Sequence, residues 1–120
     1  MRVHFLLGGN RLNLTSFLQD KRLTIALRGE IDHHSAKDTM RVVGNKIDLY
    51  LPVHCVLDFR EVSFMDSSGI AIVISALRHM REIGGRVTLQ NVPEQPYRVL
   101  LASGIEKIVQ IEERSLVNEV

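Results

Sequence analysis

The amino-acid sequence predicts an α/β fold, a single domain on a mixed, mostly parallel sheet of four to five strands with about four helices. Three observations lead there. After an initial hairpin pattern, strand-like and helix-like stretches alternate, as layered α/β chains require. The run Val53 to Phe59 is nearly continuously apolar, as expected of a strand covered on both faces. The length of 120 residues suits one domain with its own core.

The elements follow in order. Leu12-Asn13-Leu14-Thr15-Ser16-Phe17-Leu18 alternates imperfectly between apolar and polar, Asp20-Lys21 suits a turn, and Leu23-Thr24-Ile25-Ala26-Leu27 resumes the strand pattern. Gly29 is expected to end that second strand. Ala36, Met40, Val43 and Ile47 then fall at helical spacing, with Ser35 or Asp32 placed to cap the helix start. Pro52 closes the connection to the central strand, which Asp58 is expected to end. Val62 to Gly69 reads as a strand-to-helix loop, and Ile70, Val73, Ile74, Leu77 and Met80 mark a second helix stopped by Gly84-Gly85. Arg86 to Val92 alternates as a strand. Pro93 and Pro96 bracket the start of a short helix through Leu101, which Gly104 ends, and Ile105 to Ile111 offers a last strand. Glu112 and Glu113 suit the first turn of a terminal helix, where the dipole favours negative charge. Residues 1–10 read as an N-terminal extension, loose or forming an extra edge strand, and residues 11–120 as the domain proper.

Composition narrows the function. Fifteen basic and 14 acidic side chains leave a formal charge of +1, without the basic stripe of a nucleic-acid binder. Aromatic residues are 5% of the chain, which argues against base-stacking platforms. Cys55 is the single cysteine, so neither an internal disulfide nor a Cys-rich zinc site can form, and a cytoplasmic location is the natural expectation. The longest strongly apolar run, Ile70 to Leu77, is far shorter than the roughly 20 residues of a membrane span. The apolar patch in the first nine residues is too brief for a signal peptide.

The chemistry concentrates at Asp66-Ser67-Ser68-Gly69, a polar stretch before a strongly apolar helix. Asp66 is a candidate N-cap, which would put Ser67 and Ser68 at the first helical positions, near free N–H groups and the positive end of the dipole. Gly69 would allow a backbone or a partner to approach closely. Three readings stand open. Asp and Ser cap helices in many folds without further function. A nucleophilic serine is the second, but a nucleophile elbow needs Gly-x-Ser-x-Gly, and the upstream glycine is missing around either serine. The third is a regulated phosphoserine. A phosphate adds roughly −1.5 to −2 charges, which a helix N-terminus tolerates while the surface changes sign.

Gly29-Glu30-Ile31-Asp32-His33-His34 followed by Ser63-Phe64-Met65-Asp66-Ser67-Ser68-Gly69 resembles the anti-sigma factor antagonist family, the STAS domain, over about residues 11–115. The pattern is most similar to the family's sporulation members, and Ile83-Gly84-Gly85 also fits. The resemblance implies a protein-binding switch rather than an enzyme. Its unphosphorylated form binds an anti-sigma factor that is also an ATP-dependent serine kinase, and so releases the sigma factor for transcription. It implies phosphorylation at the serine directly after the motif aspartate, here Ser67, reversed by a protein serine phosphatase. It places Asp32 at a position that contacts the partner, with His33, His34, Asp66, Ser67, Ser68 and Gly69 around it. The ATP belongs to the kinase, so the chain needs no cofactor. Alternatives are a scaffold or stress-response antagonist in another partner-switching network and, remotely, a serine hydrolase.

Other polar residues carry less. Adjacent His33 and His34 point in different directions on a helix and lack a supporting carboxylate or cysteine cluster, so they read as partner-facing side chains rather than metal ligands. His4, His54 and His79 are scattered and carry no assigned role. Arg78, Arg81 and Arg86 read as a solvated helix face, with partner contact as the lesser alternative.

Overall fold

The computed structural model describes residues 2–4 and 14–112. The elements are β1 (Arg2–His4), β2 (Leu14–Gln19), β3 (Arg22–Ile31), α1 (His33–Tyr50), β4 (His54–Met65), α2 (Ser68–Glu82), β5 (Arg86–Gln90), α3 (Glu94–Ser103), a 3₁₀ turn (Ile105–Lys107) and β6 (Gln110–Ile111). All six strands form one sheet in sequence order. β1, β2 and β3 run antiparallel, and β3 to β6 run parallel. The mixed, mostly parallel α/β sheet is the one expected. Its sixth strand is β1, from the N-terminal segment, pairing Arg2–His4 with Thr15–Phe17. The helix expected from Glu112-Glu113 onward lies outside the described residues, apart from Glu112 itself, whose N–H still donates to Leu89 O.

The β2–β3 hairpin turns on two residues, Asp20 (φ 52°) and Lys21 (φ 65°). A two-residue turn with both φ positive matches the strand twist, and glycine is strongly preferred at its second position. Lys21→Gly should therefore raise stability by about 0.5–1 kcal/mol, read as an increased denaturant midpoint at constant slope. An unchanged or lowered midpoint would contradict this.

The central pair departs from the sequence expectation. β3 does not end at Gly29, and β4 does not end at Asp58 but runs on to Met65. Between Ala26↔Asp58 and Arg28↔Glu61, and again between Gly29↔Val62 and Glu30↔Phe64, β4 carries one residue more than β3. These are β-bulges, and Gly29 sits at the second with φ 76°, a conformation glycine adopts without strain. The bulges also change the burial rhythm. Cys55, Leu57 and Phe59 are buried at period two, followed by Val62 and Met65 at period three. An alternation rule loses the strand where the first bulge begins.

α1 buries Ala36, Val42, Val43 and Ile47, and α2 buries Gly69, Ile72, Val73, Ala76 and Met80. The expected α2 stripe is thus rotated: Ile74 is 42% exposed, and Ile72 and Ala76 take its place in the core. The core joins these helices to Leu23, Ile25 and Leu27 of β3 and to the buried side chains of β4. Cys55 is fully buried within it, and burial pushes its thiol up to about 12, so it is a packing residue. Gly104 (φ 79°) ends α3 as expected, but the segment after it begins with the 3₁₀ turn and reaches strand geometry only at Gln110.

Candidate functional site

The ends of β3 and β4 are tied together, because Asp66 N–H donates to Ile31 O at 3.0 Å. Asp32 and Asp66 therefore open α1 and α2 side by side. At the first opening, Asp32 Oδ1 accepts from the N–H groups of His34 (2.9 Å) and Ser35 (3.1 Å), and Ser35 Oγ accepts from Asp32 N–H (3.1 Å). This is a reciprocal capping box, using both residues the sequence singled out. The Ser35 N–H is the main reason the Asp32 carboxyl titrates below its ordinary value.

At the second opening, Asp66 Oδ1 accepts from Ser68 N–H at 2.8 Å and from the Ser68 hydroxyl. The Ser68 hydroxyl and then its N–H hold the Asp66 carboxyl low, and the neighbouring His33 backbone and ring add to the effect. α2 begins at Ser68, one residue later than the sequence suggested, so Ser67 and not Asp66 stands at the N-cap position, and Asp66 reaches the first turn from one residue further upstream. The first-turn N–H groups are already engaged. Ser68 N–H goes to Asp66 Oδ1, Gly69 N–H to Asp66 O and Ile70 N–H to Ser67 O. The free donors foreseen beside the serines are therefore occupied by the chain itself.

This arrangement separates the two serines. The Ser68 hydroxyl is committed to Asp66 and half-buried. Ser67 is exposed, and its hydroxyl makes no hydrogen bond among the described residues. Gly69 is buried, and a Cβ there would lie 2.4 Å from Met65 Sδ, so its close approach is to its own chain. His33 and His34 are exposed, with ring centroids 5.6 Å apart at 66°. Among the described residues no cluster of His, Cys, Asp or Glu could hold a metal ion. Asp58 lies in mid-strand, accepting at Oδ1 from Arg60 N–H (2.9 Å) and Asn91 Nδ2 (3.1 Å), so it supports the first bulge.

One residue of the site escaped the sequence reading. Gln95, near the start of α3, accepts from Met65 N–H through Oε1 and donates to Met65 O through Nε2, both at 2.8 Å. Its amide thus pairs with the last residue of β4 as a neighbouring strand would, one residue before Asp66. The partners lie 30 positions apart, and no local pattern announces the pairing. Gln95→Ala leaves two partly buried backbone groups without partners and should cost about 1–3 kcal/mol in denaturant unfolding. A loss below a few tenths of a kcal/mol would show that water replaces the amide.

The two capping carboxylates also set a pH dependence. Both titrate below their ordinary value of 3.8. Their contribution is complete above that value and is lost as pH falls through the lowered one. The Asp32→Asn, Asp66→Asn double variant should lose stability less steeply with falling pH below about 4 than the unaltered chain. Parallel acid-unfolding curves would contradict this.

The fold has counterparts in known proteins. The STAS domain pattern matches residues 17–115, and the chain belongs to the STAS domain family. It is 30% identical over 89 residues to an anti-sigma F factor antagonist of Paenibacillus polymyxa, covering 74% of this chain and 76% of that one. An anti-sigma-B factor antagonist of Listeria monocytogenes is 27% identical over 93 residues, covering 75% and 78%. Among solved structures, the anti-sigma factor antagonist SpoIIAA in its unphosphorylated form superposes with a TM-score of 0.66 at 23% identity, over 90% of this chain and 93% of that one.

Proposed function

We propose that this chain is an anti-sigma factor antagonist, a cytoplasmic protein-binding switch that docks on an anti-sigma factor through the paired openings of α1 and α2. Asp32, His33 and His34 form one side of the docking surface. Asp66, Ser67 and Ser68 form the other, and Gly69 shapes it from beneath. The anti-sigma factor doubles as an ATP-dependent serine kinase, Ser67 receives the phosphate and a protein serine phosphatase removes it. Residues 11–120 carry the switch and residues 1–10 are an extension of it. The names of the relatives support the antagonist reading. One observation carries the choice of residue: the Ser67 hydroxyl is exposed and uncommitted, whereas that of Ser68 is held by Asp66.

The test is to incubate the chain with a candidate anti-sigma kinase and ATP and to locate the phosphate by mass spectrometry. The expected product carries one phosphate, on Ser67, and Ser67→Ala carries none. Phosphate on Ser68 in the unaltered chain would overturn the assignment. The likeness to anti-sigma-B factor antagonists supports a second reading, in which the same surface serves a stress-response network. Binding to one anti-sigma factor in preference to the other separates the two. Hydrolase chemistry gains no support, since Ser67 Oγ meets no general base among the described residues. No helix among the described residues is long and apolar enough to cross a membrane.

A further inference from the structure

The opposite end of the parallel strands carries an unassigned cluster. Arg22 of β3 pairs with His54 of β4, and His54 pairs with Arg86 of β5. Residues in one row across a sheet project from the same face, with neighbouring strands about 4.8 Å apart. Arg22 and Arg86 thus flank the imidazole from both sides. All three side chains line one open depression of about 450 Å³, together with Gln19, Asp20 and Val53. Neither arginine forms an ion pair among the described residues. The two guanidiniums stand two strands apart, roughly 10 Å, with the imidazole between them.

The imidazole is fixed in orientation. A guanidinium only donates, so the long contact from Arg86 Nη2 to His54 Nδ1 (3.4 Å) makes Nδ1 the acceptor. Nε2 then carries the proton and donates to Thr88 Oγ1 at 2.8 Å, on a side chain only 2% exposed. Burial, and then Arg86 and Arg22, hold the ring's titration below its ordinary value, while Glu112 opposes them. Glu112 is also engaged by Gln90 Nε2 at 3.1 Å, and Asp20 lines the rim.

We propose that this row is a binding site for an oxyanion of the phosphate and sulfate class, gripped between the Arg22 and Arg86 guanidiniums above the His54 ring. Forked donors on two sides match the geometry of a tetrahedral oxyanion. A bound dianion favours the charged imidazole, in which Nδ1 gives up the Arg86 contact and donates instead to the anion, so binding tightens as pH falls and His54 gains a proton. The site lies at the start of β4, away from Asp66 and Ser67 at its end, so it stands or falls independently of the switch.

The test follows the His54 ring signals by NMR during titration with sodium sulfate, whose charge is constant between pH 5 and 8. Sodium chloride at matched ionic strength is the reference. The expected result is a saturable shift with sulfate only, weakened about tenfold in Arg22→Gln and in Arg86→Gln. Binding should tighten from pH 8 to pH 5 in the unaltered chain and lose most of that dependence in His54→Gln. Asp20→Asn should bind more tightly. Both arginines are exposed, so the variants keep the fold, which the backbone amide spectrum checks. Shifts equal to those in chloride, or unchanged affinity in the Arg22→Gln, Arg86→Gln double variant, would overturn the proposal.

Discussion

Ser67→Asp should lower affinity for the anti-sigma factor about 10²–10³-fold, while Ser67→Ala binds like the unaltered chain. A unit charge placed about 4 Å from a like charge near a protein surface costs roughly 4 kcal/mol at an effective dielectric of 20. Each 1.4 kcal/mol is about tenfold in affinity, and salt screening trims the effect at an exposed position. The charge enters next to the Asp66 carboxylate, which hydrogen bonds from the chain itself hold ionised, and the two together repel an acidic group of the partner. The first-turn N–H groups of α2 are engaged, so the added charge is displayed to the partner rather than drawn into the helix mouth. Calorimetric titration of both variants against the same anti-sigma factor reads the effect. Equal affinities would remove electrostatics as the basis of the switch.

Phe59→Ala should destabilise the chain by about 3–5 kcal/mol, a large part of the stability of a domain this size. Phe59 is 1% exposed and belongs to the core that joins the sheet to α1 and α2. It is the last residue of the period-two run in β4 and lies within the first bulge, so truncation opens a cavity where the strand is already irregular. Phe59→Leu, which keeps most of the volume, should lose clearly less. Denaturant unfolding checks both. A loss below about 1 kcal/mol for the alanine variant would mean that the sheet collapses onto the vacated space.

The alternation of elements and the hairpin were legible because their determinants are local. The period-two run in β3, the Asp20-Lys21 turn and the glycines after α2 and α3 each act within a few residues. The reading failed where pairing between distant strands decides. The extension of β4 to Met65 depends on two extra residues accommodated opposite β3, and bulges erase the alternation that marks a strand. Ile74 is exposed because the angle at which α2 lies on the sheet sets which of two adjacent apolar stripes is buried, and spacing alone does not fix that angle. At the site, Asp32 stood out as a cap and Asp66 as a carboxylate with a short-range partner, although the N-cap position of α2 falls to Ser67. Gln95 did not, because its role exists only once α3 meets the end of β4. Likewise the row of Arg22, His54 and Arg86 appears only in the sheet register.

The most direct test compares the chain before and after stoichiometric phosphorylation of Ser67, measuring anti-sigma factor affinity and thermal unfolding on the same samples. The account predicts that affinity falls by about two to three orders of magnitude while the melting temperature moves by no more than a few degrees. Undiminished affinity in the phosphorylated chain, or a loss of affinity accompanied by collapse of the melting transition, would contradict it.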